Sequence, residues 1–289
     1  MSPPAAGFSW RTGRGVIHYN KPCVMGILNV TPDSFYDGGI HQGVAAALHH
    51  TAKMLEEGAD IIDVGGESTR PGASPVDAKA ESERIVPVVT AIAREFPDAV
   101  ISVDTVKSEV ARAASDAGAA IINDVSGLRV DPAIAGICGE RELGLVLMHS
   151  RGDVADMASF QHANYGEDPV GDVIAELGAS IEKATRARVT EDQIVLDPGL
   201  GFAKRTEHSL AMLAHLDRLA YLGFPILIGA SRKRFIGELS GGLPVEQRLE
   251  GTLGAVVAAL AKGAAIFRVH DVAAVRRALD VGNAILSAG

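Results

Sequence analysis

The stretch "AVISVDTVKSEVARAASDAGAAIIND" (residues 99–124) contains the pattern that decides the fold. It begins with a strand-like apolar run over 99–104 and continues with an Ala-rich helical segment over 107–118. The glycine that ends this segment is a common helix stop. A second apolar run over 120–124 follows at once. Strand, helix and strand in this order are typical of a parallel sheet with helical crossovers.

The same unit recurs along the chain and gives eight predicted strands. They span residues 24–29, 60–66, 99–104, 120–124, 143–149, 193–197, 225–231 and 265–270. Helices are predicted between them, for example at 43–58 and 173–188. Eight strand–helix units in 289 residues match the size of a (β/α)8 or TIM barrel. We therefore predict an α/β fold: a single TIM barrel over 21–289, preceded by an N-terminal extension over 1–20 that forms a short hairpin or cover.

Composition limits the classes of function. Apolar residues make up 47 % of the chain and the net charge is −9, so we expect a sizeable core and no basic nucleic-acid surface. Cys23 and Cys138 belong to no metal or disulfide pattern and are predicted to be buried, inert thiols. The sequence shows neither a signal-peptide pattern nor an apolar run of about 18 residues. We expect a cytoplasmic protein without a membrane partner.

Each predicted strand ends in a polar or flexible group. In chain order these groups are Asn29, Gly65–Gly66–Glu67, Asp104, Asn123–Asp124, His149, Asp197, Ser231–Arg232–Lys233, and Arg268 with His270. In a TIM barrel the carboxyl ends of all eight strands lie on one rim, where active sites are built. We therefore predict that these distant stretches converge in one mouth.

Two chemistries are predicted for this mouth. Asp104, Asn123 and Asp197 supply acceptors, which suit a heterocycle with several N–H donors. The donors suit a phosphate or carboxylate. They are Asn29, Arg70, Lys233, Arg268 and His270. A Mg²⁺ site formed by the carboxylates is a competing interpretation that the residues alone leave open.

Seven motifs, in order and over about residues 22–288, resemble those of the dihydropteroate synthase family. They are "GILNVTPDSFYDGG" (26–39), "DVGGESTRPGA" (63–73), "SVDT" (102–105), "INDVSG" (122–127), "LDPGLGFAK" (196–204), "GASRKRFIG" (229–237) and "RVHDV" (268–272). The resemblance implies a TIM barrel, in agreement with the strand count. It also implies a Mg²⁺-assisted transferase that joins 6-hydroxymethyl-7,8-dihydropterin diphosphate to 4-aminobenzoate. The products would be 7,8-dihydropteroate and pyrophosphate.

The resemblance also implies roles for individual residues. The pterin would be bound by Asp104, Asn123, Met148, Asp197, Phe202 and Lys233. Of these, Asp104, Asp197 and Lys233 would act in catalysis. The diphosphate would be bound by Asn29, Arg70, Arg268 and His270, with Asn29 also beside the metal. The aminobenzoate, which sulfonamides mimic in this family, would be bound by Phe35, Thr69, Pro71, Lys233 and Arg234.

Two departures from the family pattern and several alternatives accompany this hypothesis. Arg234 and Tyr36 both stand where Ser is commoner in the family. A methyltetrahydrofolate:corrinoid methyltransferase shares the pterin-binding barrel but has no need of the aminobenzoate motifs, and a non-catalytic pterin-binding homologue is a second alternative. Asp104 and Asp197 as helix caps are the structural alternative. The apolar segment 250–265 suggests a homodimer or, equally, a core helix.

Overall fold

The computed structural model describes residues 7–30, 39–67 and 76–288, which form an eight-stranded parallel barrel surrounded by helices. An N-terminal hairpin precedes the barrel, with β1 at Phe8–Thr12 and β2 at Gly15–Tyr19. The barrel strands are β3 Cys23–Asn29, β4 Ile61–Gly65, β5 Val100–Asp104, β6 Ile121–Asp124, β7 Gly144–Met148, β8 Ile194–Asp197, β9 Leu227–Ile228 and β10 Ile266–Val269. The predicted fold class is confirmed.

Helices follow the strands as predicted. They are α1 Gly39–Glu56, α2 Ala78–Glu95, α3 Ser108–Asp116, α4 Ala133–Glu140, α5 Pro169–Arg186, α6 Thr206–Ala214, α7 Leu216–Ala220, α8 Arg234–Leu239, α9 Leu249–Ala261 and α10 Val272–Ser287. Local signals explain several starts. At α5, for example, the carboxylate of Asp168 accepts from the Gly171 N–H, and Pro169 occupies the first turn.

The strands pair in the order β8-β7-β6-β5-β4-β3-β10-β9, and a parallel bridge between Leu196 and Ile226 joins the two ends into a barrel. Seven of the predicted strands agree with the structure to within one residue at each end. The prediction for 225–231 is too long, because only Leu227–Ile228 forms a regular ladder. Proline lacks an N–H, so Pro225 contributes only its carbonyl, which accepts from Leu196.

Side chains alternate between the barrel interior and the surrounding helices. On β5, for example, Ile101 and Val103 pack outward in the main core, whereas Val100 belongs to a separate inner cluster. Ser102 and Asp104 share the inward direction of Val100, because neighbouring residues of a strand point to opposite faces. The inner cluster fills the amino-terminal half of the barrel with apolar side chains. The inward positions nearer the carboxyl ends are therefore left for polar residues.

The N-terminal hairpin closes the amino-terminal end of the barrel. Trp10 is fully buried within the inner cluster, and its indole N–H donates to the carbonyl oxygen of Gln193 at 2.8 Å. Gly144 makes room for it, since a Cβ there would lie 3.1 Å from the indole ring. The hairpin predicted within 1–20 therefore forms a plug at the end opposite the polar rim.

Both cysteines are buried free thiols, as predicted, and burial raises the pKa of each. Neither thiol is therefore activated as a nucleophile. Among the helices that the structure describes, none combines the length and the apolar character needed to cross a bilayer.

Trp10→Ala should destabilise the barrel by about 3–5 kcal/mol, because it opens a cavity at the plugged end and leaves the Gln193 carbonyl without its donor. Urea denaturation of the variant and the wild type measures this difference. Tyr221→Ala is the control, because Tyr221 is 89 % exposed and its loss should change stability little. Equal effects of the two substitutions would contradict the plug.

Candidate active site

The structure brings most of the predicted site residues together at the carboxyl-terminal rim. Asp104, Asn123 and Asp197 stand at inward positions at or near the ends of β5, β6 and β8, and Met148 ends β7. Parallel pairing places Asp104 beside Asn123 and Met148 beside Asp197. Strand periodicity and barrel closure thus assemble groups that lie far apart in the chain.

Arg268, on β10, lies between two carboxylates of this rim. Its Nε donates to Asp63 Oδ2 at 2.6 Å, and one of its terminal N–H groups donates to Asp104 Oδ2 at 2.8 Å. The Asn123 amide also donates to Asp63 Oδ2, at 3.1 Å. The predicted anion-binding arginine is therefore linked directly to Asp104, a predicted pterin-binding acid, and through Asp63 to Asn123.

Asp63 is a site residue that the sequence reasoning did not identify. It lies in the interior of β4, two residues before the strand end, and its side chain is fully buried. Its Oδ1 has no hydrogen-bond partner in the part of the chain that the structure describes. A carboxylate inside an otherwise apolar strand is itself the signal, because such a group is rarely buried without a partner.

Burial changes the proton affinities of the rim acids. Desolvation raises the pKa of Asp104 to about 7, although the charge of Arg268 opposes the shift. Desolvation likewise raises the pKa of Asp197 to about 6, against its hydrogen bond from the Gly199 N–H and the charge of Lys233. The pKa of Lys233 falls to about 8 for the same reason. These groups are therefore poised near neutrality, as functional groups often are.

An apolar wall borders the acids. The predicted members Met148 and Phe202 pack with three residues that the sequence analysis did not select. These are Val106, Val125 and Met157. Met157 lies in the loop between β7 and α5, and its carbonyl accepts from the Ala203 N–H at 2.7 Å, beside Phe202. The Lys233 ammonium lies 4.2 Å from the centre of the Phe202 ring, a cation–π contact at the pocket wall.

Two further predicted donors, Asn29 and His270, lie toward the outer lip. Asn29 ends β3 and is exposed. A Cβ built on Gly65 would lie 4.0 Å from its Oδ1 and 3.9 Å from Asp104 Oδ2, which places both oxygens around that glycine. His270 is also exposed, and its Nδ1 lies 3.0 Å from Ser231 Oγ. Gly65 therefore lies between Asn29 and Asp104 without a side chain of its own.

The observed geometry does not support two competing interpretations: a Mg²⁺ site formed by the carboxylates alone, and a helix-cap role for Asp104 and Asp197. No three His, Cys, Asp or Glu side chains in the described ranges are placed to hold a metal ion. Helices α3 and α6 begin after Lys107 and Arg205, so neither Asp104 nor Asp197 is an N-cap. Asp124 does have a structural role, because its carboxylate accepts from the backbone N–H groups of Ser126 and Leu128.

The aminobenzoate residues are only partly described. Phe35, Thr69, Arg70 and Pro71 lie outside the described residues. Arg234 is described, and its side chain turns toward the β7–α5 loop. There it stacks 4.1 Å from the centre of the Phe160 ring and donates to the Ala158 carbonyl.

The family model described as "Pterin binding enzyme" matches residues 25–270. The dihydropteroate synthase of Bacillus subtilis (strain 168) is 45 % identical over 269 residues, which cover 93 % of this chain and 90 % of that protein. The chain belongs to the dihydropteroate synthase family. Membership of this family indicates the class of reaction, which the geometry of the rim alone does not give.

Solved structures of dihydropteroate synthases share the fold. The Xanthomonas albilineans enzyme, in a structure with 4-aminobenzoic acid, aligns with a TM-score of 0.87 at 44 % identity. The alignment covers 96 % of this chain and 98 % of that one. The Yersinia pestis enzyme, in a sulfonamide drug complex, aligns with a TM-score of 0.84 at 42 % identity and covers 92 % and 95 % of the two chains. These likenesses extend over nearly the whole barrel.

Asp63→Asn should lower the free energy of unfolding by about 3 kcal/mol, because it leaves the partly buried Arg268 guanidinium with one carboxylate instead of two. Synthase activity should fall with it, since Arg268 loses its fixed orientation. Denaturation and steady-state assays of the same preparations measure both effects. Asp98→Asn, at an exposed position, is the matched control. A variant of Asp63 as stable and active as this control would remove Asp63 from the site.

Proposed function

We propose that this rim joins 6-hydroxymethyl-7,8-dihydropterin diphosphate to 4-aminobenzoate and releases 7,8-dihydropteroate and pyrophosphate. The observation that carries the proposal is the linked arrangement of acids, amide and cations on neighbouring inward positions, in a chain of the dihydropteroate synthase family. Such a site matches a substrate with N–H donors at one end and an anion at the other.

The pterin ring is assigned to the inner end of the rim. Asp104, Asn123 and Asp197 would accept from its amino and ring N–H groups, and Lys233 would donate to its carbonyl and ring nitrogen. Met148 and Phe202 would flank the ring. The raised pKa values of Asp104 and Asp197 support this assignment, because buried carboxylates without enough donors gain most from a ligand that supplies them.

The diphosphate is assigned to the outer lip, where Asn29, Arg70, Arg268 and His270 would surround it. The two acids raise the pKa of Arg268 above its ordinary value, so its positive charge persists at any working pH. Because Arg268 also contacts Asp104, the diphosphate and pterin ends share one cation.

Mg²⁺ fits the outer lip as a partner of the diphosphate. The chain offers the amide oxygen of Asn29 there, a hard oxygen donor on an exposed side chain. Magnesium is commonly held by one or two protein oxygens together with substrate phosphates, and a full protein cage is not required. When bound, the ion would neutralise charge on the leaving diphosphate.

Catalysis is proposed to be electrostatic. An aromatic amine is a weak nucleophile, so the bond between the pterin methylene carbon and the diphosphate oxygen breaks early. Asp104 and Asp197 would stabilise positive charge that spreads into the pterin, while Arg268 and His270 would stabilise the departing diphosphate. The amine nitrogen then attacks the methylene carbon and loses a proton. No covalent protein nucleophile is needed.

The aminobenzoate, and sulfonamides that mimic it, would bind at the outer wall through Phe35, Thr69, Pro71, Lys233 and Arg234. Since the Arg234 side chain is engaged with Phe160, its backbone N–H is the group proposed for the carboxylate. Lys233 adjoins Arg234 in the chain, and the charges of Asp197 and Asp104 act on it, so we propose that it contacts both substrates.

Incubation of the purified chain with the pterin diphosphate, 4-aminobenzoate and Mg²⁺ should release pyrophosphate and 7,8-dihydropteroate in equal amounts. Asp104→Asn should reduce kcat/KM by the equivalent of about 2–4 kcal/mol, because pterin donors lose an anionic partner. The exposed Asp98→Asn should keep wild-type activity. Pterin binding without pyrophosphate release would favour a non-catalytic homologue. Methyl transfer from methyltetrahydrofolate to a corrinoid would favour the methyltransferase alternative.

A homodimer and a cytoplasmic location complete the proposal. Helices α9 and α10 pack together and expose a shared apolar face that includes Val257, Val281 and Ile285. Val281 and Ile285 are 62 % and 68 % exposed, and a second copy would cover them. The two buried free thiols suit a reducing compartment.

Val281→Asp should weaken self-association by about 100-fold or more, because it places an unpaired charge in the apolar contact. Sedimentation velocity over a range of concentrations measures the change. Val16→Asp, on the exposed hairpin, is the control. A wild type that sediments as a monomer at every concentration would refute the dimer.

A further inference from the structure

Lys204 is a buried lysine that the proposed reaction leaves without a role. Only 1 % of it is exposed, although it follows directly after the loop that carries Phe202. Its Nζ lies 2.7 Å from His149 Nδ1 and donates to the Phe202 carbonyl at 3.2 Å. A fully buried lysine is rare and needs a specific reason.

A chain of polar groups runs from Lys204 to the surface. His149 Nε2 lies 3.0 Å from Glu176 Oε2, and Arg151 Nε donates to Glu176 Oε1 at 3.1 Å. Although desolvation favours the neutral acid, the hydrogen bonds from His149 and Arg151 lower the pKa of Glu176 to about 2. Because Glu176 is ionised and only accepts, the His149 proton lies on Nε2 and its Nδ1 accepts from Lys204.

The turn that Lys204 holds is unusual in its backbone. Gly199, Gly201 and Ala203 have φ of 68°, 75° and 45°. A Cβ on Gly199 would lie 1.9 Å from the His149 carbonyl oxygen, so the turn lies tightly against the end of β7. Ala203 has a Cβ and adopts the left-handed region at some energetic expense. Phe202 lies between Gly201 and Ala203, and the hydrogen bond from Lys204 to its carbonyl fixes this part of the turn.

Lys204 also belongs to the charge environment of Asp197. The cations that act on Asp197 are Lys233, Lys204 and Arg268, together with the hydrogen bond from the Gly199 N–H. Burial lowers the pKa of Lys204 to about 7, although the charge of Asp197 opposes the shift, so Lys204 is a cation in the acid range where Asp197 titrates. Arg151, Glu176 and Lys233 also act on Lys204, besides its partner His149. Lys233 borders the pocket at the Phe202 ring, whereas Lys204 is enclosed behind the turn.

We propose that Lys204 is a positioning residue of the pterin site, which, held by His149, Glu176 and Arg151, fixes the 198–203 turn and keeps Asp197 ionised from behind. This inference rests on the proposed function, since it concerns the pterin subsite of that reaction. Lys233 is thereby left free to contact the substrates. Lys204 itself touches none of the reacting atoms.

Lys204→Met preserves the length and apolar stem of the side chain but removes its charge and both hydrogen bonds. We expect the KM for the pterin diphosphate to rise about ten-fold, with a smaller change in kcat and an unchanged KM for 4-aminobenzoate. Loss of a nearby cation raises the pKa of Asp197, so the acid limb of kcat/KM for the pterin diphosphate should move to higher pH. Lys183→Met, on the exposed face of α5, is the matched control. The titration of the substrate's own diphosphate is common to all these proteins and cancels in the comparison.

His149→Leu tests the same chain without removing the lysine. It deprives the Lys204 ammonium of its acceptor, so we expect a smaller shift of the acid limb in the same direction. The double variant Lys204→Met/His149→Leu should be no worse than Lys204→Met alone, because both changes act through one link. If Lys204→Met does not fold, the pH profile of the single His149→Leu variant tests the positioning role: its acid limb should still move to higher pH.

The outcomes separate the two proposals. A wild type that makes no dihydropteroate refutes the proposed function. An active wild type whose Lys204 and His149 variants keep the pterin KM and pH profile of the Lys183 control refutes the positioning role. Equal loss for both substrates, or strictly additive effects in the double variant, would also refute it, since these are the marks of general structural damage.

Discussion

The rim depends on one electrostatic arrangement, in which the fully buried carboxylate of Asp63 and the partly buried carboxylate of Asp104 share the guanidinium of Arg268. The three residues come from β4, β5 and β10, so the arrangement exists only because the sheet curves until its last strands lie beside its first ones. Charges removed from water are tolerated in a protein when they are paired with good geometry. Arg268 supplies such pairing to two acids at once, and Asn123 adds a further donor to Asp63.

Sharing one cation between two acids has a functional consequence. Because Arg268 is committed to the acids, it is held in a fixed orientation before any substrate arrives, which is the preorganisation that electrostatic catalysis requires. An anion at the lip would draw on the same charge that stabilises Asp104. N–H groups of the pterin would at the same time donate hydrogen bonds to Asp104 and so replace part of the stabilisation that Arg268 withdraws. The two ends of the substrate are thus complementary to a single network, and neither end alone satisfies it.

Much of this site was predictable, and the exceptions have a physical pattern. Strand ends in a parallel barrel share a rim, so Asp104, Asn123 and Asp197 were predictable from their position at the ends of apolar runs, and Arg268 from its basic strand end. Asp63 was missed because it lies inside a strand, where a two-residue period, and not a strand end, turns it toward the rim. Met157 belongs to an irregular loop, whose path no periodicity fixes. The burial of Lys204 was not predictable, because it depends on partners from and beside β7 and on α5, which the linear sequence does not place beside it.

The desolvated acids of the rim also show what the fold gives up for the site. Desolvation raises the pKa of Asp104 and Asp197 from the ordinary 3.8 to about 7 and about 6. Between pH 3.8 and these raised values, the folded chain holds protons on the two acids that the unfolded chain has lost. The stability of the fold that depends on these acids is therefore greatest at low pH and is lost as the pH rises toward neutrality. The unliganded rim is therefore least favourable to the fold at the pH where its carboxylates are charged. A ligand that donated hydrogen bonds to those carboxylates would restore the loss, and this gain would contribute to the affinity that we propose for an N–H-rich ring.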